Sequence, residues 1–269
     1  MNSLFIFGLG YTSQEIAKLA IERGYKVYGT CRTAKKCELL RQQNIKAFLF
    51  DEVPRRILEN ATHILSSVPP QEGQGDIVIP KLPNTTKWYG YLSTTGVYGD
   101  YGGQWVSEQS ECRPSNDRLK RRIIAEKEWK NLSGHVFRLA GIYGTGRNAI
   151  DDVKAGIARR IDKKGQVFSR IHVADIAQTI LASMNNPNPS SIYNVCDDEP
   201  APAFEVVEYA CKLLGITPPP LIAFEQAELS AMGREFYSAN RRVKNDKIKQ
   251  ELGIILQYPS YREGLMAIL

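Results

Sequence analysis

An apolar run, SLFIF at residues 3–7, stops at a glycine and resumes after GLG (8–10) with helical spacing. That order dictates a strand, a tight turn and a helix in immediate succession. The helical part carries Ile16, Ala17, Ala20 and Ile21 on one face and halts at Gly24, a residue suited to the left-handed conformation that ends helices. A strand that feeds straight into a crossover helix belongs in a parallel sheet.

The theme repeats along the amino-terminal half. Apolar runs at 25–31, 46–51, 63–68, 89–95 and 135–141 read as further strands, and a helix over about 115–130 would pack Leu119, Ile123 and Trp129 on the sheet. Beyond residue 145 longer helices take over, with one clear strand, SIYNVC (191–196). The helical stretches 202–215 and 243–253 each end at glycine, and TPPP (217–220) marks a rigid turn. The expected fold class is therefore α/β, a Rossmann-type doubly wound parallel sheet with a smaller C-terminal substrate lobe. Residues 1–145 form the sheet domain, completed by part of 165–200, and 146–269 form mainly the lobe.

Composition narrows the functional classes. With 269 residues, 43% hydrophobic and 24% charged, the chain can bury one large α/β core with a smaller appendage, or two modest domains. Its apolar start is too short and too broken by glycine to cross a bilayer, so no membrane partner is expected. Five cysteines, at 31, 37, 112, 196 and 211, form no CxxC, which suggests neither a disulfide framework nor a zinc ribbon and fits a reducing cytoplasm. Histidines at 63, 135 and 172 are too scattered for a metal site, and none is expected. The net charge of +6 raises nucleic acid as a partner, but the one dense basic run, RLKRR (118–122), is followed at once by acids and reads as a solvated helix face. Nucleic acid is not expected.

The glycine turn carries chemistry. Gly8 permits the bend, Gly10 lets a diphosphate approach the backbone, and the residues opening the helix, Tyr11, Thr12 and Ser13, offer free amides at a positive dipole end. Ser13 stands where such cradles usually hold a third, packing glycine, a replacement expected to be mild. At the end of the second strand, where an NAD site places a carboxylate on the ribose 2′-hydroxyl, this chain has GTCRT: Thr30, Arg32 and Thr33, with Lys35 and Lys36 downstream. A guanidinium grips a 2′-phosphate that a carboxylate would repel, so NADP is the expected cofactor and NAD the second choice. Asp51 is positioned to accept from the adenine amino group, and Ser66, Ser67 and Val68 to line the middle of the cofactor.

With YLSTTGVYGD (91–100), RLAGIYGTGR (138–147), RIHVADIAQTI (170–180) and SIYNVCDDEP (191–200), the sequence resembles the extended short-chain dehydrogenase/reductase superfamily. Within it the likeness is to the atypical, NAD-dependent epimerase/dehydratase-like branch, and it runs nearly end to end. The resemblance implies an NAD(P)-binding domain and activity on sugar nucleotides or other small hydroxy and keto compounds. It implies that Thr94 holds the substrate oxygen. The superfamily's acid/base pair is Tyr-x-x-x-Lys followed four residues later by Glu; anchored on Glu126, those places hold Arg118 and Arg122 here. Arginine stays charged across the physiological range and cannot replace the phenol as proton carrier. Arg122 could hold the nicotinamide ribose, and Arg118 could stabilise a developing alkoxide. Tyr98 is the candidate relocated acid, weighed against a packing role. Tyr143, Arg147 and Arg170 are candidate substrate residues, the arginines suiting an anionic or nucleotide-linked small molecule. His172 reads as a residue joining the lobe to the sheet, Asp175 with Gln178 as a helix-capping pair, and a homodimer built on the 115–130 helix would follow many relatives.

Two functions are consistent with this pattern. One is an oxidoreductase or epimerase of a small polar substrate. The other is a catalytically silent NADP-binding redox sensor or regulatory subunit.

Overall fold

The computed structural model describes residues 2–73, 75–84 and 86–269. From the amino end run β1 (Ser3–Phe7), α1 (Tyr11–Glu22), β2 (Lys26–Cys31), α2 (Ala34–Arg41), β3 (Lys46–Leu49), α3 (Arg55–Glu59), β4 (His63–Ser66) and β5 (Trp88–Thr94). Then follow β6 (Trp105–Val106), α4 (Asp117–Asn131), β7 (His135–Leu139), β8 (Gly141–Tyr143), α5 (Ala149–Lys154), β9 (Arg160–Asp162), β10 (Arg170–His172), α6 (Val173–Asn185) and β11 (Ile192–Val195). The last elements are α7 (Ala203–Leu214), β12 (Leu221–Ala223), α8 (Ala231–Phe236), β13 (Arg242–Val243), α9 (Asp246–Leu252) and α10 (Tyr261–Met266).

Seven strands form one parallel sheet in the order β11-β7-β5-β4-β1-β2-β3. The strand order reverses at the β1/β4 boundary, the point where open α/β sheets leave a crevice at their carboxyl ends. All five residues of β1 are buried, because a central parallel strand is covered on both faces and its sequence reads as an unbroken apolar run. Alternation then divides them. Leu4 and Ile6 join Ile16, Ala17, Ala20, Ile176 and Ile180 of α1 and α6 on one face. Phe5 and Phe7 join Tyr91, Ala125, Trp129 and Val136 on the other. Each fully buried Leu, Ile, Val or Phe among them contributes roughly 1.5–3 kcal/mol.

The buried positions of α4 are Leu119, Ala125, Glu126 and Trp129, while Ile123 is only half-buried and Ile124 is exposed. The expected stripe thus includes a glutamate in place of Ile123. That burial is tolerated because Glu126 is paired with Arg138. Beyond residue 145 the structure adds β9, β10, β12 and β13, where one clear strand was expected. These strands are two or three residues long and each joins a two-stranded ladder with a partner distant in the chain, β10 with β8, β12 with β9 and β13 with β6, so no periodicity could announce them.

Two further expectations are corrected. Cys31 and Cys37 are joined by a disulfide, with Cα atoms 5.9 Å apart; Cys112, Cys196 and Cys211 are free. The end of β2 and the second turn of α2 meet in space, a proximity that six residues of separation do not advertise. Asp175 does not cap α6. The cap is His172, whose Nδ1 accepts from the Ala174 amide, while the Asp175 carboxylate accepts from the amides of Gln257 and Tyr258. With Gln178 donating to the Ile255 carbonyl, this pair clasps the 255–258 segment onto α6. His172, at 7% exposure, packs against Tyr143 and Tyr258, and burial lowers its pKa to about 4.

Candidate functional site

The turn after β1 is built by three neighbours. Gly8 adopts φ +86°, and a Cβ there would lie 2.8 Å from Ser67 Oγ. Its N–H donates to Thr30 Oγ1 at 2.9 Å, and Ser67 Oγ donates back to the Gly8 carbonyl. Thr30, only 2% exposed, therefore braces the turn from β2. Beside it Gly10 is exposed and has nothing within 4 Å of where a Cβ would stand, so another molecule can approach the backbone closely there. Ser13 is fully packed beneath, and its Oγ has no hydrogen-bond partner among the described residues. The replacement of glycine is therefore costlier than expected, since a buried hydroxyl goes unpaired.

A cavity of about 1080 Å³ opens at the carboxyl ends of β1 to β4, lined by Gly8, Gly10, Thr30, Arg32, Asp51, Ser67 and Val68, with Lys36 and Lys81 at its rim. Its size suits a dinucleotide half. Arg32 is exposed and has no partner among the described residues. Lys36, in the first turn of α2, donates to Gln14 of α1, and Thr33 caps α2 by accepting from the Lys36 amide. Asp51 already holds Lys81 at 3.0 Å across the cavity, with Lys81 Nζ over the Phe50 ring. Ser66, expected beside Ser67 and Val68, is fully buried, accepts from the Val68 amide and does not line the cavity.

On the substrate side the structure separates the candidates. Thr94 ends β5, half-buried, with Oγ1 accepting from the Gly96 amide. The first turn of α4 packs on that short turn, Leu119 lying against Gly96. There Arg118 is exposed and donates from Nη2 to Glu235 Oε1 at 2.8 Å, and Asn116 Nδ2 donates to the same oxygen at 2.6 Å. Glu235 comes from α8 of the C-terminal region, so one carboxylate joins α8 to α4. Sequence reasoning missed it; a lone glutamate in a helix of six residues carries no signal.

Arg122 is engaged through one of its nitrogens. Its Nη1 donates to Tyr91 Oη at 2.8 Å and to the Leu92 carbonyl at 2.9 Å, with the guanidinium over the Tyr91 ring. Tyr98 is fully buried, donates to Asn194 Oδ1 and lies under the Arg138 guanidinium; burial pushes its pKa up to about 12. The packing role is the one observed. Tyr143 is likewise buried and donates to the Ser260 carbonyl, while burial and the nearby Asp197 and Asp175 carboxylates raise its pKa. Arg170 spends Nη1 on the carbonyls of Phe168 and Ala201, and its burial lowers its pKa. Both tie the C-terminal region together rather than face a cleft. Arg147 is exposed over the Tyr11 ring, and Tyr11 donates to the Thr145 carbonyl.

No established family profile matches the chain. A curated relative, a 3-diazoavenalumate denitrifying reductase of a Streptomyces species, is 28% identical over 152 residues, 54% of this chain; the match spans about half of that relative (49%). Among solved structures, a functionally unknown conserved protein from Silicibacter pomeroyi is 44% identical over 100% of this chain and 98% of its own, with a TM-score of 0.92. A structure described as an NAD-dependent epimerase/dehydratase from Methylobacillus flagellatus follows at 21% identity, 99% and 97% coverage and a TM-score of 0.73. UDP-glucuronic acid 4-epimerase from Bacillus cereus, solved with NAD, shares the fold at 15% identity, 98% and 94% coverage and a TM-score of 0.78.

Proposed function

We propose, of a chain that belongs to the same family as the functionally unknown Silicibacter pomeroyi protein and has the fold of the extended short-chain dehydrogenase/reductase superfamily, that it is an NADP-dependent oxidoreductase or epimerase. Its substrate is a small, polar, anionic molecule, nucleotide-linked as in the NAD-bound epimerase of the same fold. The observation that carries the reading is the cavity at the β1/β4 crevice, with the open Gly10 backbone at one side and Arg32, without a partner among the described residues, at the other.

Gly8, Gly10, Tyr11, Thr12 and Ser13 supply the turn and helix end for the diphosphate, Arg32 and Lys36 the 2′-phosphate, and Ser67 and Val68 the middle of the cofactor. Asp51 meets the adenine once Lys81 yields, or through the pair. The cofactor supplies a hydride donor or acceptor. Thr94 orients the substrate oxygen, and Arg118 draws charge onto it. Since Tyr98 and Arg122 are engaged elsewhere, Glu235, held beside Arg118, takes and returns the carbinol proton. The anionic group of the substrate is met by Arg147, the exposed arginine of the glycine loop.

The second reading, a silent NADP-binding sensor or subunit, is supported by Arg122, which at the superfamily's lysine position spends Nη1 on Tyr91 and the Leu92 carbonyl. Titration of the purified chain with NADPH and NADH decides the cofactor. NADPH binds more tightly, and Arg32→Asp reverses the order; unchanged selectivity removes Arg32 from the site, and no heat or fluorescence change with either nucleotide ends both readings.

A further inference from the structure

Cys31 is the last residue of β2 and lines the cofactor cavity; Cys37 lies one turn into α2, and the two are disulfide-bonded. Their Cα separation of 5.9 Å is the span that disulfides ordinarily bridge. The bond closes a small ring around Arg32, Thr33, Ala34, Lys35 and Lys36, and three of these five, Arg32, Thr33 and Lys36, line the cavity. Cys37 is 2% exposed and Cys31 is 7% exposed; Cys31 lines the cavity, so that is the side on which a reagent would meet the pair.

We propose that Cys31 and Cys37 form a thiol–disulfide modification site that tunes the adjoining 2′-phosphate subsite, the disulfide state holding NADP(H) more tightly than the dithiol. The inference rests on the reading of Arg32 and Lys36 as phosphate donors. The physical reason is the weak anchoring of α2 without the bond. The helix has eight residues, of which only Cys37 and Leu40 are buried, and helices that short do not persist unaided. Arg32 and Lys36 are long, rotamer-rich side chains carried on that segment. A covalent tether fixes their backbone before the ligand arrives, so less ordering remains to be done on binding.

The chemistry balances with a low-molecular-weight disulfide such as glutathione disulfide as oxidant. One cysteine thiolate attacks it and forms a mixed disulfide, releasing one glutathione thiolate. The second cysteine thiolate attacks the mixed disulfide and releases the other. Two protein thiols lose two electrons, the small disulfide becomes two thiols, and the two protons pass through solvent to the released thiolates. Linkage then requires reciprocity: the factor by which the disulfide tightens NADP(H) is the factor by which NADP(H) favours the disulfide.

The test uses the full chain after treatment with glutathione disulfide or with dithiothreitol. Thiol counting under denaturing conditions should give three free thiols in the first case and five in the second. Fluorescence titration should show NADPH bound about five-fold or more tightly by the oxidised chain, with NADH affinity changed far less. In a glutathione redox series, saturating NADPH should move the equilibrium towards the disulfide by the same factor. Cys37→Ser should bind NADPH at the reduced-state affinity and ignore glutathione disulfide. Because Cys37 packs in the core, Cys31→Ser and the wild-type comparison carry the test if that variant does not fold. Five thiols after oxidation, or equal NADPH affinity in the two states, overturns this proposal alone. NADPH binding in neither state overturns the cofactor reading with it.

Discussion

Glu126 grips Arg138 with both carboxylate oxygens, Oε2 lying 2.7 Å from Nη2, inside a core where the two side chains are 3% and 5% exposed. Ser93 donates to the same carboxylate, and the Arg138 guanidinium covers Tyr98. Removing one partner leaves a buried charge alone, so Glu126→Gln should destabilise the chain by about 3–5 kcal/mol. The double variant Glu126→Leu, Arg138→Met should recover most of the loss. Urea midpoints of the three proteins test this; a loss under about 1 kcal/mol for the single variant would mean that the pair is solvated.

Gly8→Ala places a methyl group against Ser67 Oγ and Val68 Cγ2 at a positive φ. Both the turn and the amide that donates to Thr30 are disturbed, so stability should fall by about 1–3 kcal/mol. Dinucleotide binding should fall further than stability explains, at least ten-fold. The pairing of chemical denaturation with NADPH titration separates the two effects.

His172 carries a pKa lowered by burial to about 4, against about 6.5 when unfolded. Between those values the unfolded chain binds a proton that the folded one refuses, so stability falls as pH drops from about 6.5 to about 4 and gains nothing from this group above that range. The full shift corresponds to about 3 kcal/mol. His172→Asn keeps an acceptor for the Ala174 amide and removes the titration. Its melting temperature should be flatter over this pH interval than that of the wild type, and an unchanged slope would assign the dependence to other groups.

Arg118 and Glu235 are 69% and 43% exposed, so their ion pair should add less than about 1 kcal/mol to stability. Glu235→Gln keeps the size and one acceptor but cannot carry the proton. Its thermal midpoint should stay within a few degrees of the wild type, its NADPH affinity should be unchanged, and NADPH oxidation by any polar ketone that the wild type reduces should fall about a hundred-fold or more. Wild-type rates in this variant would exclude Glu235 as the acid/base group.

The sheet was legible because its central strands are buried on both faces and write mostly apolar runs, as in SLFIF, although HVFRL also carries His135 and the ion-paired Arg138. The glycine turn was legible for a different reason: Gly8 and Gly10 stand directly between a strand and a helix, where Gly8 takes a positive φ. Side-chain destinations were not legible. Tyr98 and Tyr143 sit in motifs that suggest a cleft, yet each hydroxyl finds a partner across 96 and 117 residues of chain, a pairing no local pattern encodes. The same holds for Arg122, which bends back to Tyr91, and for Glu235, which reaches α4 from far downstream. The Cys31–Cys37 bond escaped because composition speaks of cysteine frameworks and not of a single local pair.

Tyr11 opens the helix that follows the glycine turn, and its hydroxyl is bonded to the Thr145 carbonyl, while a Cβ at Gly144 would stand 2.6 Å from that hydroxyl and 2.7 Å from Val173 Cγ1. Three elements thus converge on one point that admits no extra atom. A side chain added at residue 144 would therefore also push on the first residue of α1 and on Val173 of α6. Any bulk gained at Gly144 and a rearrangement of the start of α1 would thus have to come together.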